Sequence, residues 1–158
     1  MTRRTVAARA LPAVLLAAVL LWGCALPQIA IHDDPLSPEE HLKLGMAYEA
    51  KEPERALDEY RHAARKVPLA HLYLGNTLFG LQRFTEAEAE YRAAVSLMPA
   101  NGEALNNLAW LLVTRKKSYP EAEELAARAV KLEPGRAAFR DTLAAARAAR
   151  ARENSGRP

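Results

Sequence analysis

From Ser37 onward the apolar positions recur at spacings of three and four, the period of one face of an α-helix. The same short text then returns. Leu44-Gly45 is followed by Tyr48, Ala56, Tyr60, Ala63 and Pro68; Leu74-Gly75 by Leu78, Ala87, Tyr91, Ala94 and Pro99; Leu108-Ala109 by Leu112, Ala122, Ala126, Ala129 and Pro134. Leu143-Ala144 opens a fourth copy. Each copy reads as two helices, over 37–50 with 53–66, 69–81 with 85–96, and 101–114 with 120–132, and a last helix runs over about 136–150. Small residues at the repeated Gly/Ala positions let paired helices approach closely, and the larger Tyr and Leu fill the space beside them.

Helix ends are marked in the text. Ser37…Glu40, Thr85…Glu88 and Ser118…Glu121 have the S/T-x-x-E form of a capping box. Pro38, Pro53 and Pro120 fall where a first-turn proline is tolerated, and Pro68, Pro99 and Pro134 stop the second helix of each pair. A hairpin of two amphipathic helices cannot bury its own apolar face, so the stack is the folding unit.

These residues resemble the tetratricopeptide repeat (TPR) family, and the resemblance spans about residues 37–150. It implies an all-α fold: a right-handed superhelical stack of about 3.5 TPR units, seven helices, with repeats at about 37–68, 69–99 and 100–134 and a capping helix at 135–150. His41, His71, Leu105 and Arg140 stand where the family usually carries an aromatic residue. The resemblance also implies a concave face lined by the first helix of each pair. Carried onto this chain, that face holds Lys43, Met46 and Glu49, then Tyr73, Asn76 and Phe79, then Asn106, Asn107, Trp110 and Val113, and finally Asp141. Asparagines there hydrogen-bond an extended backbone and aromatics anchor apolar side chains. Phe79 and Trp110 are equally suited to packing between repeats. Paired amides at 106–107 have little reason to face a core. One subset of the family grips a C-terminal carboxylate with basic residues; Leu72, Ala138 and Thr142 stand at those basic positions, so that clamp is absent.

Upstream, the pattern changes. Arg3, Arg4 and Arg9 precede an uncharged run from Ala10 to Pro27, the arrangement of a secretory leader. Leu21-Trp22-Gly23-Cys24 resembles the lipobox of bacterial lipoproteins, with Trp22 where a smaller residue is usual. That resemblance implies a signal peptide at 1–23, a diacylglyceride and an N-acyl chain on Cys24, and, with Ala25 next, an outer-membrane address facing the periplasm. A buried free thiol and an uncleaved anchor over 10–27 are the alternatives. Residues 24–36, aperiodic and holding two prolines, read as a lipid-attached tether. His32-Asp33-Asp34 in that tether reads as a solvated cluster, and no metal site is expected. Residues 151–158 read as a disordered basic tail.

Charge narrows the function. The 158 residues carry a formal +3, and all of the excess lies in the leader; beyond residue 23, 19 Lys+Arg balance 19 Asp+Glu. That gives no support for nucleic-acid binding. Nine acids oppose three bases over 24–60, and six bases oppose two acids over 136–158, which reads as solvated helix faces. One cysteine excludes an internal disulfide. Phosphate-binding, zinc-protease and nucleophile-elbow motifs are lacking, and the four histidines are dispersed. The expectation is a non-catalytic protein–protein interaction module, needing no cofactor beyond its lipid and binding no nucleic acid or small-molecule substrate. The two resemblances imply a lipid-anchored adaptor or assembly factor of the bacterial envelope, pilotin-like in one version. The alternative is a structural subunit with an uncleaved membrane anchor and a self-associating stack.

Overall fold

The computed structural model describes residues 34–156. The leader, Cys24, most of the tether including His32 and Asp33, and residues 157–158 lie outside the described residues. The described residues form seven helices and no strand: α1 (Pro38–Tyr48), α2 (Pro53–Ala64), α3 (Leu69–Gly80), α4 (Phe84–Leu97), α5 (Gly102–Thr114), α6 (Tyr119–Leu132) and α7 (Ala137–Ser155). Each helix packs on the next, and α5 also meets α7, which gives a stack of hairpins α1–α2, α3–α4 and α5–α6 closed by α7. No helix among the described residues is long and apolar enough to cross a membrane.

Hairpin closure follows from the glycines. A Cβ on Gly45 would run into the Tyr60 ring, and one on Gly75 into the Tyr91 ring. In the third hairpin the same pair is Ala109 and Ala126, both fully buried. A large ring from the second helix therefore fills the space left by a missing side chain on the first, and two alanines achieve the same closeness where the ring is absent. Ala144, at the fourth position of this kind, is exposed. Among the described residues no further helix follows α7 to pack against it.

The first-turn prolines and the Ser37 capping box form as the sequence dictates: Ser37 accepts from the Glu40 amide at 3.2 Å, and Glu40 accepts from the Ser37 amide at 2.7 Å. The other two boxes do not form. α4 starts at Phe84, so Thr85 lies inside the helix, and Ser118 makes no side-chain cap. The acids of those boxes are drawn elsewhere: Glu88 binds Lys117 and Arg92, and Glu121 binds Arg92. α5 has a cap the pattern did not announce, with Asn101 Oδ1 accepting from the Ala104 amide at 2.9 Å. α3 and α5 end alike. Gln82 (φ 60°) and Lys116 (φ 54°) take left-handed conformations, and the next amide reaches back to Leu78 or Leu112 at 2.9 Å, closing a Schellman turn.

Adjacent hairpins are braced by ion pairs between residues 29 apart: Glu54 with Arg83, Glu88 with Lys117, and Glu121 with Arg92. At the end of the stack Arg147 and Arg150 both bind Glu123, at 3.1 and 2.9 Å. These pairs hold α7 against α6, and the helix continues to Ser155. The expected basic tail is thus helical over its first five residues, 151–155.

Candidate functional site

The first helices α3 and α5 carry Asn76 and Asn107 one repeat apart. Asn107 Nδ2 donates to Asn76 Oδ1 at 2.8 Å, and the Tyr91 hydroxyl, reaching across from α4, donates to the same oxygen at 2.9 Å. With its carbonyl oxygen used twice, Asn76 presents its amide NH2 as the group left to recognise an acceptor. Around this network opens a cavity of ≈ 270 Å³ lined by Asn76, Phe79, Tyr91, Asn107 and Trp110. Trp110 is 46% exposed, a large apolar surface left in water beside polar donors. Phe79 is half-buried and meets Phe84 edge-on at 5.4 Å, so it serves both packing and the cavity wall.

Of the residues expected on the concave face, the structure brings Asn76, Phe79, Asn107 and Trp110 together. Tyr73 is half-buried and stacks on Tyr60 at 5.5 Å, outside that cavity wall. Lys43 and Met46 are exposed on α1, and Asp141 is exposed on α7; none of the three lines the cavity. Val113 is half-buried against the core. Asn106 corrects the sequence reading: it is buried, donates to Asn107 Oδ1 at 3.3 Å, and has its own Oδ1 without a protein partner. It stands behind the groove and orients Asn107. Glu49 is likewise committed, accepting from the Tyr60 hydroxyl at 3.1 Å and from Thr77 at 3.0 Å, which ties the first hairpin to the second.

Tyr91 is the member sequence reasoning missed. Its position reads as core, and its ring is core, but its hydroxyl emerges in the cavity wall. Burial pushes the Tyr91 hydroxyl's pKa far above the ordinary phenol value, so it remains a donor. Tyr60 is raised in the same direction, by burial first and by the neighbouring Glu49 charge second. At the former clamp positions, Leu72 is buried, Ala138 is exposed, and Thr142 is buried with its hydroxyl on the Ala138 carbonyl at 3.0 Å. No cation stands at these three.

Stacked helical hairpins around an open, amide-and-aromatic cradle define a repeat scaffold of the kind that binds protein segments. The tetratricopeptide repeat profile matches residues 47–101 and 72–137, more than half of the sequence, and the chain belongs to that family. No curated protein matches the sequence. Among solved structures, the fold is similar to the first TPR domain of Spaghetti (RPAP3) bound to the HSP90 peptide SRMEEVD. That similarity has a TM-score of 0.67 and 22% identity over 77% of this chain and 98% of that one. The second TPR domain of human RPAP3, in complex with the HSP70 peptide SGPTIEEVD, is similar at a TM-score of 0.62 and 18% identity, over 70% of this chain and 98% of that one. Pseudomonas aeruginosa pilF is similar at a TM-score of 0.60 and 23% identity, over 79% of this chain and 63% of that one.

Proposed function

We propose that this chain is a non-catalytic adaptor, lipid-anchored through Cys24 at the outer membrane of a bacterial envelope and facing the periplasm. There it holds an extended segment of a partner protein across α3 and α5. The observation that carries this reading is the cavity at Asn76, Asn107 and Trp110, where a fixed amide donor stands beside a half-exposed indole. A backbone carbonyl suits the amide and an apolar side chain suits the space between Phe79 and Trp110. The RPAP3 domains hold acidic peptides, whereas this cavity has no lining cation, so the favoured guest is an uncharged internal segment with an apolar anchor. The likeness to pilF and the lipobox at 21–24 support an assembly-factor role of the pilotin kind.

The test is a photo-crosslinker placed at Trp110 in cells, with intact mass measured on the membrane fraction. Crosslinks to one envelope protein, lost on Asn76→Ala or Asn107→Ala, together with a chain acylated at Cys24, are expected. A crosslink that ignores both asparagine changes would remove the groove reading. A mass retaining residues 1–23 would remove the lipid anchor.

A further inference from the structure

Where the second hairpin hands over to the third, the stack carries another cavity, separate from the groove. It has a volume of ≈ 440 Å³ and is lined by Pro99 and Ala100, in the link between α4 and α5, and by Arg128, Lys131 and Leu132 near the end of α6. Leu132 is 45% exposed, and Leu97, at the same position one hairpin earlier, is 55% exposed. The walls are largely hydrocarbon: a proline ring, a methyl group, a leucine and the stems of two long cations. The space is ample for one large apolar side chain.

The two cations set this cavity apart. Arg128 and Lys131 stand three residues apart on one helix, a spacing at which like charges repel. Arg128 donates to the Pro99 carbonyl at 3.3 Å, which holds its guanidinium at the cavity wall and leaves further N–H groups to offer. Neither cation meets a carboxylate among the described residues, and no acid lines the cavity. Glu133, next to Leu132, pairs with Arg136 at 3.6 Å; Glu121 and Glu124 share a neighbouring cavity with Arg128, and neither bonds to it. By contrast, Arg55 and Arg61 on α2 and Arg92 on α4 each hold a carboxylate. One hairpin back, Ala93 and Ser96 stand where α6 has Arg128 and Lys131, while Leu97 keeps the place of Leu132. The repeat therefore explains the leucine and does not explain the cations.

We propose that this cavity docks an acidic segment of a partner protein, seating one apolar side chain among Pro99, Ala100 and Leu132 and placing the flanking carboxylates on Arg128 and Lys131. Charge complementarity selects the acid: two unmatched cations beside hydrocarbon favour an anionic guest that also carries an apolar side chain. The Arg fork takes a carboxylate bidentately, and Lys meets the next one as a point charge. Concavity selects a peptide over a lipid surface, since a flat bilayer would leave the cavity unfilled. The site shares no residue with the groove and is independent of it.

The experiment titrates the peptide acetyl-Glu-Glu-Leu-Glu-Glu-amide into the full chain and follows the Leu132 methyl and Ala100 amide resonances, with the Trp110 indole reporting on the groove. Saturable shifts at Leu132 and Ala100, with Trp110 still, are expected. Lys131→Gln should weaken binding about threefold and Arg128→Gln about fivefold; glycine in place of the peptide's leucine should weaken it about tenfold. Lys51→Gln, which removes an exposed cation of the first hairpin, should change nothing. Lys131→Glu is the decisive variant: the side chain is exposed, the Arg128–Pro99 bond stays in place, and binding should disappear while helicity by circular dichroism is kept. Equal binding of the glutamine version of the peptide, shifts at Trp110 in place of Leu132, or undiminished binding by a folded Lys131→Glu chain would each overturn the site. Leu132 shifts produced only by vesicles of phosphatidylglycerol and phosphatidylethanolamine, or only by concentrating the chain itself, would overturn it too, in favour of a lipid surface or a second copy.

Discussion

Asn107 and Asn76, side chains 31 residues apart, share a 2.8 Å hydrogen bond that stitches the first helix of one hairpin to the first helix of the next. The Tyr91 hydroxyl ends on the same Asn76 oxygen, so a single acceptor serves the inside of a hairpin and the junction between hairpins. Asn76→Ala is therefore expected to strand a buried hydroxyl and an amide together, at a cost of about 1–3 kcal/mol. Urea unfolding measures it, and the loss should exceed that of Asn107→Ala, which leaves Tyr91 its partner side chain.

Trp110 and Leu111 are neighbours in sequence with opposite surroundings, 46% and 0% exposed. Leu111→Ala should lose about 2–5 kcal/mol through the cavity it leaves. Trp110→Ala should change the unfolding midpoint much less and reduce partner crosslinking instead. Equal losses of stability would place the indole in the core.

The His71–Glu90 pair is partly screened, with side chains 20% and 30% exposed, and the third hairpin does without its counterpart. Replacing both by leucine, as at Leu105 and Leu125, should be neutral or stabilising within about 1 kcal/mol. Glu90→Leu alone should be worse than the double change, because the imidazole then keeps its place without its acceptor. Thermal melts of the three variants decide this.

Acid should loosen the stack between hairpins. The Lys117 ammonium, and then Arg92, hold the Glu88 carboxyl below its ordinary value near 4.5, and Arg92 does the same for Glu121. A lowered folded value means stability fully present above about pH 4.5 and lost as the pH falls through the lowered values. The melting temperature should decline across that range, and Glu88→Gln should flatten the decline.

The architecture was legible in the sequence because it rests on features that sequence carries directly: helical period, first-turn and terminal prolines, and small residues set opposite Tyr60 and Tyr91. The third hairpin was as readable as the first, although its ring is replaced by Ala126. Helix ends were less legible. A capping box is a local motif, and at Glu88 and Glu121 it lost to basic side chains on other elements, Lys117 and Arg92, that no local window contains. The same reason hid the extent of α7, whose arginines find Glu123 on α6. Of the residues that line the cavity, Asn76, Phe79, Asn107 and Trp110 were placed on one face by their repeat positions. Asn106 was not, since its burial depends on what α5 meets, and Tyr91 was hidden by serving two roles with one side chain.

The braces between successive hairpins, made by the second helices and the turns that lead into them, are ionic and lie at the surface, while the stitch joining α3 to α5 at the cavity is a neutral amide pair. Dissolved salt weakens charge–charge contacts in water and hardly touches an amide bond. Added salt should therefore slacken the outer braces first and leave the Asn76–Asn107 contact in place, which chemical-shift changes at the two asparagine side chains against those at Arg83, Arg92 and Lys117 would show.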